Sequence, residues 1–169
     1  MSVAFRRESD EEHLEPKFEI PIPTGPNLVT ARGLALIRGR VAEITGQLEK
    51  LSDENAIKAA KRDLRYWQTR EITAELVPVP SGAAVQIGTV VTFLHNGKRR
   101  SLTIVGDDEA DPANGLISFS APLSRALMNA APGEFLDFGG TEDAIEVLQI
   151  AVIGEPSVSV NDRGGSLGD

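Results

Sequence analysis

The chain has 169 residues, 41% of them hydrophobic and 25% charged, with a formal net charge of −8. That is one ordinary domain or two small ones, with the composition of a folded globular protein. The absence of cysteine excludes disulfides, thiolate metal sites and cysteine nucleophiles; two histidines leave no material for a His-rich metal centre; and the net acidity speaks against binding bare nucleic acid by bulk electrostatics.

Residues 1–28 contain Pro16, Pro21, Pro23 and Pro26 and read as an extended or disordered segment. Each proline lacks an N–H and restricts the residue before it. Arg6 and Arg7 are followed by acids rather than an apolar run, so a secretory signal is not expected. No stretch approaches the roughly 18 apolar residues of a membrane helix, which points to a soluble cytoplasmic protein.

Residues 29–77 carry a helical period. Leu34, Ile37, Val41, Ile44, Leu48 and Leu51 recur at spacings of 3 and 4, and Ile57, Ala60, Leu64, Trp67 and Ala74 form a second seam with Glu71 on the same row. Between the seams, Ser52 suits the N-cap of a second helix, with Asp53 and Glu54 in its first turn. The expectation is an antiparallel coiled-coil hairpin whose arms run to about 22 residues, roughly 33 Å each. So thin an element must project into solvent or into a partner.

Pro78, Pro80, Ser81 and Gly82 close the helical region, and residues 83–154 change to period 2. Strands are expected at residues 85–94, 99–105, 115–120, 135–138 and 144–153, with an Asn96-Gly97 hairpin turn and a short helix over residues 122–129. The whole is an α+β chain: a helical hairpin, then a small antiparallel β domain with one short helix. Residues 155–169 have the composition of a flexible tail. Charge divides along the same lines: residues 29–76 hold 9 basic and 7 acidic side chains, whereas residues 77–155 hold 4 and 10. The basic character belongs to the hairpin, so the two modules are expected to face different partners.

The block Ile104-Val105-Gly106-Asp107-Asp108-Glu109-Ala110-Asp111, then Ile117-Ser118 and Pro122-Leu123-Ser124-Arg125-Ala126-Leu127, resembles the C-terminal signature of the GreA/GreB transcript-cleavage factors. Asn27-Leu28-Val29-Thr30-Ala31-Arg32-Gly33 is similar to that family's entry into its first coiled-coil helix. The chain departs from the pattern where Ala121 interrupts the usual Ser-Pro and Ser124 replaces the usual Ala. The resemblance implies an FKBP-like C-terminal domain without isomerase chemistry, docked on the rim of the RNA polymerase secondary channel. It also implies a coiled coil that enters the channel, so that the protein regulates elongation and is not a catalyst by itself. Relative to usual members the arms fall short by about a dozen residues each, roughly 18 Å of reach.

Candidate site residues follow. The tip acids Asp53 and Glu54 would, by resemblance, help hold a Mg²⁺ shared with the polymerase active site, where a carboxylate completes the coordination of an ion that activates water. The protein would carry no cofactor of its own. The same two acids also suit ordinary helix-start chemistry. Asp107, Asp108, Glu109, Asp111, Ser120, Pro122 and Leu123 would form the polymerase-docking face. Lys58, Lys61, Arg62 and Arg65 lie at i, i+3, i+4 and i+7, a basic stripe that would face nascent RNA or polymerase acids, or simply solvent. A monomer bound to RNA polymerase is the expected state. Two versions stand within this reading: a factor that stimulates cleavage of backtracked transcripts, and a channel-occupying regulator that does not. An FKBP-like adaptor unrelated to polymerase is the alternative from another class.

Overall fold

The computed structural model describes residues 19–154. Most of the extended N-terminal segment and the whole C-terminal tail expected from the sequence lie outside the described residues. A short strand β1 (Leu28–Val29) leads into helix α1 (Ala31–Leu48); helix α2 (Glu54–Thr73) returns and ends in β2 (Glu75–Leu76). The arms of 18 and 20 residues are shorter than the 22 expected, about 27 and 30 Å at the helical rise. The seam is as the period requires. Ile37 and Ile44 are buried, Val41, Leu48, Ile57, Leu64 and Trp67 are half-buried between the arms, and the intervening positions are mostly exposed. Tyr66 meets the Trp67 ring edge-on at 5.1 Å and the Arg40 guanidinium covers that ring at 5.8 Å, so Trp67 is a packing element of the hairpin.

The turn between the helices is closed differently from the sequence expectation. Asp53, not Ser52, is the N-cap of α2: its carboxylate accepts from the Ala56 N–H at 2.9 Å. A carboxylate at this position meets both an orphan amide and the positive end of the helix dipole.

β1 and β2 pair in parallel, with Leu28 opposite Glu75 and Val29 opposite Leu76. The strand entering the hairpin and the strand leaving it are thus tied together, and the hairpin has a closed base.

The second unit is a five-stranded sheet in the order β5-β4-β3-β7-β6. Its strands are β3 (Thr89–His95), β4 (Lys98–Val105), β5 (Leu116–Ser118), β6 (Phe135–Phe138) and β7 (Thr141–Val152), with the short helix α3 (Pro122–Leu127) before β6. The sheet is mixed rather than antiparallel throughout, because β5 pairs with β4 in parallel. Residues 106–115 leave the end of β4, run to the base of the helical hairpin and return, and a connection of that length is what a parallel neighbour needs. The first strand begins at Thr89 rather than 85. Apolar alternation continues back through Ile87 and Val85, but Gly88 has φ +95° and the Thr89 hydroxyl bonds back to the Gln86 carbonyl at 2.7 Å, so the backbone turns there. Val91, Phe93, Leu102, Ile104, Ile145 and Val147 of the sheet form the core together with Leu127 of α3. Each such side chain contributes about 1.5–3 kcal/mol by leaving water.

Candidate functional site

The acidic block after β4 does not form one outward face. Gly106 lies against the entry to the hairpin: a Cβ on it would stand 2.5 Å from the Leu28 carbonyl oxygen. That close approach brings the next three acids to three different tasks.

Asp108 turns towards α2. Its carboxylate accepts from the Arg70 Nε–H at 2.6 Å and from the Tyr66 hydroxyl at 2.5 Å. Tyr66 and Arg70 stand four residues apart on one helix face, so both reach the same carboxylate. Arg70 is 2% exposed, and its NH2 nitrogen donates to the Asn27 side-chain oxygen at 2.7 Å and lies 3.9 Å from the Asp107 carboxylate. The Asn27 amide in turn donates to the Arg70 carbonyl at 2.8 Å. Burial, then the hydrogen bond to the charged Asp108, pushes the Tyr66 hydroxyl well above the ordinary tyrosine range.

Glu109 turns towards α1. It is 5% exposed and accepts from the Thr30 hydroxyl at 2.6 Å, with Arg32 at 3.4 Å. Thr30 also caps α1, accepting from the Gly33 N–H at 3.0 Å. One hydroxyl therefore closes the helix start and binds the sheet domain. Gly33 sits directly beneath, where a Cβ would lie 3.1 Å from the Glu109 carboxylate.

Two sequence blocks more than seventy residues apart, Asn27–Gly33 and Gly106–Glu109, are thus the halves of one latch that fixes the hairpin on the sheet domain. Asp108 and Glu109, expected on the outer docking face, are instead committed inward, because Arg70, Tyr66, Thr30 and Arg32 supply the donors that make their burial tolerable. Asn27, Thr30, Tyr66 and Arg70 were not among the candidates. The available signal was the Tyr66/Arg70 pair at i, i+4 beside the apolar seam.

The remaining docking candidates do gather. Asp107 accepts from the hydroxyls of Ser118 and Ser120, the latter at 2.8 Å, and so holds the turn that precedes α3. Ser120 and Pro122 are exposed there, while Leu123 is half-buried against the core. Asp111 binds the Asn114 amide at 2.6 Å and shapes the 3₁₀ turn Pro112–Asn114.

At the far end of the hairpin, Asp53 and Glu54 are both exposed. Asp53 is engaged as the cap; Glu54 makes no hydrogen bond or ion pair with any described residue. No group of three or more His, Cys, Asp or Glu side chains suited to a metal occurs among the described residues. Two carboxylates at the tip can contribute to a Mg²⁺ site, since that ion commonly takes one or two protein carboxylates and fills its other positions elsewhere. Along α2, Lys58 and Lys61 are exposed, Arg62 pairs with Asp63 at 2.9 Å, and Arg65 bonds Glu19 through its Nε–H at 3.2 Å. No helix among the described residues is long and apolar enough to cross a membrane.

Comparison with known proteins matches residues 80–152 to the family model of the C-terminal domain of transcription elongation factors GreA/GreB. The transcription elongation factor GreA of Helicobacter pylori is 32% identical over 135 residues, covering 74% of this chain and 78% of that protein. That of Pseudomonas putida is 27% identical over 136 residues, covering 79% and 82%. Among solved structures, GreA factor homolog 1 of Thermus thermophilus aligns at 22% identity with a TM-score of 0.35, covering 75% of this chain and 99% of that one. With about a third of residues identical over three quarters of its length, the chain belongs to the GreA/GreB family of transcription elongation factors.

Proposed function

We propose that this elongation factor docks on RNA polymerase through the turn held by Asp107, with Ser120, Pro122 and Leu123 at its surface, and passes its hairpin into the secondary channel as a monomer. Once there it stimulates the polymerase's own cleavage of backtracked RNA. The observation that carries the reading is the opposition of two ends. The sheet domain is latched rigidly to the hairpin base by buried polar contacts, and an uncommitted carboxylate, Glu54, sits some 27–30 Å away at the tip. A latched base lets a surface contact on one domain fix the position of a side chain at the other end, which is what positional catalysis requires.

Within this reading the chain's residues divide the work. Asp53 closes the helix and holds the tip turn, and Glu54 presents its carboxylate. A Mg²⁺ at the polymerase site, when bound, supplies the acidity that activates water. Lys58 and Lys61 supply positive charge one and two turns behind the tip, where RNA phosphates would pass. The adaptor reading unrelated to polymerase finds no support in the family comparison.

The test is a backtracked elongation complex assembled with the cognate polymerase. Shortening of the RNA 3′ end on addition of the protein, lost in Glu54→Ala with binding retained, supports stimulated cleavage. Binding without cleavage by the unaltered protein would leave a channel-occupying regulator.

A further inference from the structure

Strand β4 has two unlike halves. Residues 102–105 are buried or half-buried, and β5 covers their outer edge by pairing with Thr103, Ile104 and Val105. Residues 98–101 are all exposed and pair with β3 on one side; on the other side the sheet edge is open among the described residues. The chain leading into β5 is coiled into the 3₁₀ turn Pro112–Asn114 and does not run alongside this edge. The Thr103 N–H bonds outward, to the Gly115 carbonyl at 2.8 Å. Strand residues two apart direct their backbone groups to the same side, so Ser101 and Arg99 direct theirs to the open edge. The side chains here include Lys98, Arg99 and Arg100, three of the four basic residues within 77–155, a stretch with ten acids. None of the three makes a side-chain hydrogen bond or ion pair with a described residue. The Arg100 guanidinium stands 6.0 Å over the ring of Phe93, its register partner, a contact that positions it without committing an N–H to an acceptor. Successive strand side chains alternate, so Lys98 and Arg100 flank one face of the edge and Arg99 the other.

We infer that the open edge of β4 at residues 98–101 is a docking site for an extended acidic segment of a protein partner, which adds a strand in line with β5. The charge selects an acid-rich partner, and the alternation selects its form. A nucleic-acid backbone lying on one face would leave either Arg99 or the Lys98/Arg100 pair without a phosphate. An added strand carries its carboxylates alternately to both faces, while its backbone pairs with Arg99 and Ser101. Asp107 and the turn it holds lie beyond the opposite end of β4, about 20 Å away at the rise of a strand. The edge is therefore a second contact, independent of the docking turn.

The experiment titrates the full chain with three labelled probes: the peptide Thr-Glu-Glu-Val-Glu-Glu-Thr, the same peptide N-methylated throughout, and a single-stranded RNA oligonucleotide. N-methylation keeps the charge but prevents pairing as a strand. The unmodified peptide is expected to bind, and to slow hydrogen exchange at the Arg99 and Ser101 amides. The N-methylated peptide should bind about ten-fold more weakly, as a loss of a few strand hydrogen bonds requires. A triple variant carrying Lys98→Gln, Arg99→Gln and Arg100→Gln should lose about ten-fold in affinity at low ionic strength, a difference that shrinks as salt rises. Equal binding of the two peptides, or unchanged exchange at Arg99 and Ser101 in the complex, would overturn strand addition. Tighter binding of the RNA than of the peptide, lost in the triple variant, would overturn the partner class and assign the edge to nucleic acid. Failure of the peptide to bind overturns the proposal outright. Self-association of the triple variant would then show that the charges only keep the edge from pairing with its own copies.

Discussion

Arg70 of α2 and Asp108 of the loop after β4 meet at 2.6 Å with their side chains 2% and 5% exposed, across 38 positions of sequence. Burial makes this pair asymmetric under mutation. Removing the guanidinium strands a buried carboxylate, and such a loss destabilises by about 3–5 kcal/mol. Arg70→Met is therefore expected to unfold at far lower urea than the natural chain. Adding Asp108→Asn to Arg70→Met should restore part of the loss, because the neutral amide can keep the Tyr66 contact without an unpaired charge. Trp67 is the chain's one tryptophan and lies in the hairpin seam, so its fluorescence follows the relevant transition. Equal midpoints for the single and double variants would contradict the coupling.

Tyr66 gives this latch an alkaline limit. Its folded-state hydroxyl is pushed above the ordinary tyrosine range by burial first and by Asp108 second, whereas the unfolded chain ionises near 10. A group whose folded pKa is raised contributes its full stability below the unfolded value and loses it as pH rises beyond. Stability from this source is thus intact at neutral pH and declines above about pH 10. Tyr66 is the only tyrosine, so ultraviolet absorbance of tyrosinate titrates it alone. The expected curve lies well to the alkaline side of free tyrosine, and Tyr66→Phe should flatten the fall in stability above pH 10.

The glycines of the interface separate by what surrounds them. Gly106→Ala would place a methyl 2.5 Å from the Leu28 carbonyl and 3.6 Å from the Val29 Cα, both in the backbone of the paired β1. Nothing flexible can yield there, so a loss of about 2–3 kcal/mol is expected, at the high end for overpacking. Gly33→Ala meets only the Glu109 side chain at 3.1 Å and the Thr30 hydroxyl at 3.4 Å, while gaining up to about 1 kcal/mol of helix propensity; it should come out within about 1 kcal/mol of neutral. Gly39, mid-helix with nothing within 4 Å, is the control: Gly39→Ala should stabilise by about 0.5–1 kcal/mol. A urea series that ranks Gly106→Ala no worse than Gly33→Ala would refute the close-packed entry.

Ser124 is the opposite case, a polar group with nothing to do. It is 1% exposed, on the inner face of α3, and its hydroxyl finds no partner among the described residues. An unsatisfied buried hydroxyl is unfavourable by about 1–3 kcal/mol, and alanine is the better helix former. Ser124→Ala is expected to raise stability by about 1 kcal/mol. A lower melting temperature would show that the hydroxyl has a role in the fold.

How much of this was readable from the sequence differs by level. The helical seams were legible because Ile37, Ile44 and their neighbours keep a strict 3–4 spacing, and Asn96-Gly97 announced the β3–β4 turn. The latch was not, because it is made of contacts between blocks whose separate patterns each have an ordinary local reading. Glu109 looks like one acid in an acidic loop until Thr30 is placed 2.6 Å away. The parallel pairing of β5 was hidden for the same reason: residues 106–115 read as a loop, and only their detour to the hairpin base reverses the direction of return. Ser52 and Asp53 were both competent caps, and local preference alone did not rank them.

That ambiguity at the tip is also where function and stability can be pulled apart. Asp53 caps α2 through Ala56, whereas Glu54, one residue on, has no described partner and is held only by its backbone. Asp53→Ala should lose about 1 kcal/mol of stability through the cap. Asp53→Asn keeps a capping oxygen and should lose much less, though it removes the charge. Glu54→Ala should leave stability within about 0.5 kcal/mol, since it is an exposed first-turn acid. If the tip acts on the polymerase centre by charge, Asp53→Asn and Glu54→Ala both reduce RNA cleavage while melting like the natural chain. If Asp53 serves only the fold, Asp53→Asn cleaves normally and only Asp53→Ala suffers, in proportion to its lost stability. Parallel melting and cleavage measurements on these three variants therefore assign each carboxylate its task, and full activity in Glu54→Ala would remove the tip from the chemistry.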